Sequence, residues 1–153
     1  MTPGDLTRPV RAELPATPAA ARQARAALRH ALAAWGLTAL APEAELMLSE
    51  LIANAAEHAP PAPIGLTIRP HATPAGHRGV ACEITDTSPA VPAARTAAPG
   101  DERGRGLAII TALADASGYT RTPAGKTAWF TLTTRDPEPR AQPEPEPELE
   151  PGA

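Results

Sequence analysis

The order in which hydrophobic periodicity changes along this chain constrains its fold most. Two helical stretches come first, and the strands that follow are joined by tight turns. From Pro18 to Trp35, the apolar residues Ala21, Ala24, Leu28, Leu32 and Trp35 recur at three- and four-residue steps, which predicts a helix. Thr17 before Pro18 suits an N-cap with proline at the first helical position, and Gly36 closes the run. A second helix is expected from near Pro42 to Ala59, its apolar stripe being Leu48, Leu51, Ile52, Ala55 and Ala59. Pro60-Pro61 stops it, because proline cannot continue the backbone ladder.

The pattern then changes to a period of two. Ile64, Leu66 and Ile68 alternate with Gly65, Thr67 and Arg69, and after a turn from His71 to Gly79 so do Val80, Cys82 and Ile84 with their neighbours; both stretches predict strands. Arg11 to Leu14 suits a short edge strand before Pro15. Thr87 to Arg103 are seventeen residues without periodicity, the length of a lid or a disordered segment. Leu107 to Ala116 reads as a third helix. Tyr119–Thr122, the turn Pro123-Ala124-Gly125, and Thr127–Thr133 read as a closing hairpin. Helices that precede tightly connected strands must cover one face of the sheet. The expected fold is α+β: a two-layer α/β sandwich with a mixed, mostly antiparallel sheet.

The 153 residues suffice for one domain with a core, and with one Phe and one Tyr that core is aliphatic. The single Cys82 excludes an internal disulfide and a cysteine-based zinc site, as suits a reducing compartment. Without a signal-peptide pattern or an apolar run of about 18–20 residues, a cytoplasmic location is expected. Net charge is −3, and it gathers at one end: Asp136 to Ala153 hold six acidic residues and one Arg in a Pro-Glu repeat. Such a tail buries too little apolar surface to fold. The rest is nearly neutral, without the basic stripe that nucleic acid requires. The expected organisation is a disordered stretch over residues 1–10, a folded domain over 11–134, and a disordered acidic tail over 135–153.

Three separated segments carry the chemistry. On the second helix Glu50, Asn54 and His58 follow at four-residue spacing and form a polar stripe beside the apolar one. A carboxamide oxygen is a hard ligand suited to magnesium, and a carboxylate one turn earlier can take a proton from an attacking hydroxyl. Asp86 shares the parity of Val80, Cys82 and Ile84, so it faces inward and requires a donor; an adenine amino group would serve. Gly104-Arg105-Gly106, just ahead of the third helix, offers backbone amides and a helix N-terminus to phosphates. Each segment alone has an ordinary explanation: a solvated helix face, an Asx turn, a loop-to-helix turn. Gly125-Lys126-Thr127 looks like the end of a Walker motif but lies in a hairpin with no helix behind it.

In this combination and order the segments resemble the GHKL (Bergerat-fold) ATPase superfamily, and more closely its stand-alone bacterial anti-sigma-factor serine/threonine kinases. Ser49–Ala59 resembles the family's N box, Glu83–Pro89 its first glycine box, Arg103–Ile110 its second, and Gly125–Leu132 its final strand. The resemblance implies an ATP-binding regulatory protein that phosphorylates Ser or Thr of an antagonist protein with Mg-ATP. It implies Glu50 as general base, Asn54 as magnesium ligand and Asp86 as the residue that reads adenine. Gly104, Arg105, Gly106 and Leu107 would surround the phosphates, and Thr127 would support adenine through a water. Its expected cofactors are ATP and Mg2+. Its expected partners are a sigma factor, an anti-anti-sigma-type antagonist or a second copy of the chain, with neither nucleic acid nor membrane. Ser88 departs from the pattern, standing where the first glycine box has Gly. That departure supports an alternative, a non-catalytic nucleotide-binding protein-interaction module. A sensor histidine kinase core is disfavoured, since no helix pair is left to carry a phospho-accepting His.

Overall fold

The computed structural model of the chain describes residues 8–58, 62–87 and 102–134, with the side chains of residues 58 and 102–107 excepted. Ser88, most of the lid segment, Ala59, residues 1–7 and the expected acidic tail lie outside the described residues, while Val10, expected to belong to a disordered stretch, opens the first strand. Strand β1 (Val10–Leu14) is followed by helix α1 (Ala19–Ala34), a short 3-10 turn (Thr38–Leu40) and helix α2 (Ala41–His58). Then come β2 (Ile64–Ala72), β3 (Arg78–Asp86), helix α3 (Glu102–Leu113), β4 (Ala116–Thr122) and β5 (Gly125–Thr133).

The five strands form one sheet in the order β1-β2-β3-β5-β4, and all four pairings are antiparallel. The expected two-layer α+β sandwich is therefore present, without a parallel pair in the described sheet. Parallel neighbours are avoided because α3 carries the chain past one strand position, and β5 returns from the β4 hairpin to fill it. One face of the sheet is buried against the helices. On it lie Leu14, Ile64, Leu66, Ile68, Val80, Cys82, Ile84, Ala128, Phe130 and Leu132, which pack on Leu28, Leu32, Met47, Leu48, Leu51 and Ile52 of α1 and α2. Residues of opposite parity, such as Thr67, Thr85 and Thr131, are partly or fully exposed. Cys82 sits within this core, where burial first and the neighbouring Glu83 second push its thiol far above the ordinary range.

Helix α1 ends as expected at Gly36. Gly36 takes the left-handed conformation at φ 71°, and Leu37 N–H donates back to the Leu32 carbonyl at 2.8 Å, the bond that defines a Schellman stop. At the other end, the first turn is closed by Ala20 N–H on the Thr17 carbonyl at 3.0 Å. No side-chain cap bond forms at Pro18, which is itself in helical φ and ψ.

Several expected boundaries shift: β1, β4 and β5 begin earlier, at Val10, Ala116 and Gly125, and three other shifts have a physical reason. β2 continues through Pro70 to Ala72, so the connecting turn is only Thr73–His77, closed by Thr73 N–H on the His77 carbonyl at 2.9 Å. Pro70 is tolerated because β1 ends its pairing at Ile68, leaving no neighbour on that side to accept a proline's missing N–H. Helix α3 starts at Glu102, five residues before Leu107. Glycine inside a helix costs only about 1 kcal/mol, so Gly104 and Gly106 do not prevent that start. The same helix stops at Leu113 because Asp115 enters the sheet: its N–H donates to the Thr131 carbonyl at 2.9 Å. Its carboxylate accepts both Thr133 N–H and the Thr133 hydroxyl at 2.6 Å.

Candidate functional site

Helix α2 has two flanks beside its buried stripe, and they have different neighbours. Ser49 lies on the α1 side, where its hydroxyl accepts from Arg25 Nη1 at 3.2 Å and donates to the Glu45 carbonyl at 2.8 Å. Glu45 pairs with Arg29 on the same side. Glu50 and Asn54, both half-buried, lie on the other flank. There the Asn54 side chain adjoins the hydroxyl of Tyr119 on β4. His58 ends the helix.

Tyr119 reaches that position by strand register. It pairs with Ala128, and its neighbours on β4, Ser117 and Arg121, pair with Phe130 and Lys126. All three therefore share the inner parity of β5. Asp86 pairs with Lys126 across β3 and β5, on the same face. Its carboxylate Oδ2 lies 3.6 Å from Lys126 Nζ, with both side chains almost wholly out of solvent. Lys126 is 1% exposed, a buried cation of full length. Four polar side chains from four elements thus converge at one end of the inner face: Asn54, Tyr119, Asp86 and Lys126.

The electrostatics there are unusual for a core. The Tyr119 phenol is held above its ordinary range, chiefly by burial. The Asn54 side chain pulls the other way and the Asp86 charge adds to the rise. Neither the Tyr119 hydroxyl nor Asn54 Nδ2 completes a hydrogen bond although both atoms are buried. Buried polar atoms without partners are rare, and each calls for an account, an unplaced water or ligand among them.

Of the residues singled out in the sequence, Asn54 and Asp86 belong to this cluster, and Glu50 stands one helical turn before Asn54 on α2. Gly104, Arg105, Gly106 and Leu107 do not form a loop ahead of α3: their backbone is already helical. Gly104 is the third residue of the helix, the last whose amide N–H has no intrahelical acceptor, and from Arg105 onward the amides belong to the helix ladder; the side chains of all four lie outside the described residues. Thr127 is placed elsewhere. It pairs with Thr85, not Asp86, and its hydroxyl meets the Thr85 hydroxyl at 3.0 Å on the outer face. Because β5 alternates, the inner face at this point belongs to Lys126. Lys126 and Tyr119 are the two residues that motif reading passed over. Counting back in steps of two from Leu132 and Phe130 would have turned Lys126 inward.

Gly125 fixes how closely these strands meet. A Cβ added there would lie 2.7 Å from Thr87 Cα and closer still to the Asp86 carbonyl oxygen, both rigid backbone atoms. We expect Gly125→Ala to force β5 away from the end of β3 and destabilise the fold by about 1–3 kcal/mol, in the range of overpacked cores. A thermal melt of the variant would show it, and an unchanged midpoint would contradict the close approach.

A family model described as the histidine kinase-like ATPase domain matches residues 14–132, from the end of β1 to the end of β5. No curated protein matches the chain. The matched span takes in the whole sheet from Leu14 onward, all three helices and the four converging side chains. By fold and by this match the chain belongs to the histidine kinase-like ATPase domain family, an ATP-binding superfamily of the GHKL type.

Proposed function

We propose that this chain is an ATP-binding regulatory protein of the anti-sigma-factor type, one that transfers the γ-phosphoryl group of Mg-ATP to a Ser or Thr of an antagonist protein. The observation that supports it best is the polar cluster at the inner end of β3, β4 and β5. It holds two buried polar atoms without partners, on Asn54 and Tyr119, beside an Asp86 carboxylate with a matched cation. That is the chemistry of a site that takes a polar ligand. Among the described residues no three His, Cys, Asp or Glu side chains cluster as a metal cage. A divalent ion here would be held by the Asn54 carboxamide oxygen, with nucleotide phosphates and waters as its other ligands, the usual arrangement for magnesium. When bound, the ion neutralises charge on the phosphates.

The protein's own residues supply the rest. Asp86 accepts from the adenine amino group, while Lys126 keeps the carboxylate matched. The first turn of α3, up to Gly104, directs its free amides at the phosphates, with Arg105 next in the chain. Glu50 takes the proton of the incoming Ser or Thr hydroxyl as its oxygen bonds to the γ-phosphorus and the bond to the β-phosphate oxygen breaks, releasing ADP. Thr127 has no part in this account, being on the other face. The partners follow from the type: a sigma factor held by the chain, and an antagonist protein that is its substrate. Among the described residues no helix is long and apolar enough to cross a membrane.

Labelled ATP with purified protein and candidate antagonists tests the reading; label should appear on the antagonist's Ser or Thr. Nucleotide binding without any transfer would favour the second reading, a nucleotide-binding module acting by protein contact alone. Ser88, in place of the family's glycine, is the residue that speaks for it.

A further inference from the structure

We propose that Tyr119 is a positioning residue for Asn54: its hydroxyl oxygen accepts one Asn54 amide N–H when nucleotide binds, which leaves the carbonyl Oδ1 to face the cation. This rests on the nucleotide-site reading above and names how that site is held in register.

The reason lies in the symmetry of the carboxamide. Asn54 carries one acceptor oxygen and one NH2 group of nearly the same shape, and only the oxygen can bind a cation. A half-turn of the group would present N–H to the ion instead. A neighbour that accepts a hydrogen bond at the nitrogen end selects one orientation, as outer groups commonly do around metal ligands. In this structure Nδ2 is the buried end without a partner, and the buried, unpartnered polar atom of Tyr119 is its neighbour. The two loose ends match in chemistry, because a phenol oxygen accepts while its O–H remains free to donate.

The placement of Tyr119 serves this. It stands on the inner face of β4, an edge strand, opposite Ala128. The Asp86 charge is felt at the same hydroxyl.

Tyr119→Phe keeps the ring and removes only the oxygen. ATP affinity of this variant should be measured by calorimetry with magnesium and again with EDTA, beside the thermal midpoint of the ligand-free protein. Loss of one hydrogen bond should weaken Mg-ATP binding by roughly 2- to 12-fold, leave affinity in EDTA unchanged, and leave the midpoint unchanged or raised. An unchanged ratio of the two affinities, or an equal loss in both, overturns the proposal, since a ring that merely fills space acts alike with and without the ion. A measurement on the intact chain covers the case of a misfolded variant. The side-chain NH2 resonance of Asn54, assigned by its absence in Asn54→Ala, should shift and gain exchange protection on adding Mg-ATP; no change would overturn the proposal as well. Failure of the wild type to bind nucleotide at all would instead remove the site reading, and this one with it.

Discussion

Replacing Lys126 with methionine should destabilise the folded protein by about 3–5 kcal/mol, the cost of leaving one member of a buried ion pair alone. Methionine keeps most of the aliphatic stem, so the loss reports charge and not a cavity. Lys126 and Asp86 are 1% and 4% exposed, so bulk solvent screens the pair little. A domain is stable by only about 5–15 kcal/mol, so much of the margin should go. The double variant Asp86→Leu with Lys126→Met should recover most of the loss, because apolar replacement of a buried pair is commonly neutral or stabilising. Urea midpoints of the single and double variants decide this. Equal destabilisation in both would mean that the residues act separately, and the ion pair would then carry none of the effect.

The second large effect is expected on chemistry. Glu50→Gln is close to isosteric and half-buried at its site, so folding and nucleotide affinity should hold. Phosphoryl transfer to the antagonist should fall by roughly 10²–10⁴-fold, the usual range for a lost general base. Single-turnover transfer at saturating ATP measures it without confusion from binding. If transfer persists at the wild-type rate, Glu50 is not the base. If the wild type shows no transfer to any antagonist while Glu50→Gln retains partner binding, the non-catalytic reading stands in its place.

Much of the fold was legible because its stops are local. Gly36 ends α1 through backbone geometry that glycine favours, and the strand alternation survives into burial residue by residue from Ile64 to Ile68. Boundaries set by tertiary contacts were less legible. The end of α3 depends on Asp115 bonding to Thr133, eighteen residues away in sequence. The passage of Pro70 through β2 depends on where β1 begins, at Val10 opposite Ile68. Neither is encoded near the residue it affects.

The site divides in the same way. Glu50, Asn54 and Asp86 are visible from helical spacing and strand parity. Lys126 was hidden by a general expectation, that lysine is solvated, which holds unless a buried carboxylate meets it. Thr127 was drawn in by motif position, whereas alternation along β5 sends it to the outer face beside Thr85. Tyr119 is legible as a strand residue, but its place beside Asn54 depends on a pairing across β5 that motif spacing does not show, and the start of β4 at Ala116 lies in residues whose pattern continues that of the preceding helix.

The central claim is that the inner end of the sheet beside α2 binds Mg-ATP through Asn54. Calorimetric titration of ATP into the wild-type chain and into Asn54→Ala, each with magnesium and with EDTA, tests it most directly. The wild type should bind ATP more tightly with magnesium than without. Asn54→Ala should lose most of that advantage while remaining folded. A wild type that takes up no nucleotide, or an Asn54→Ala protein with the full magnesium dependence intact, would contradict the claim.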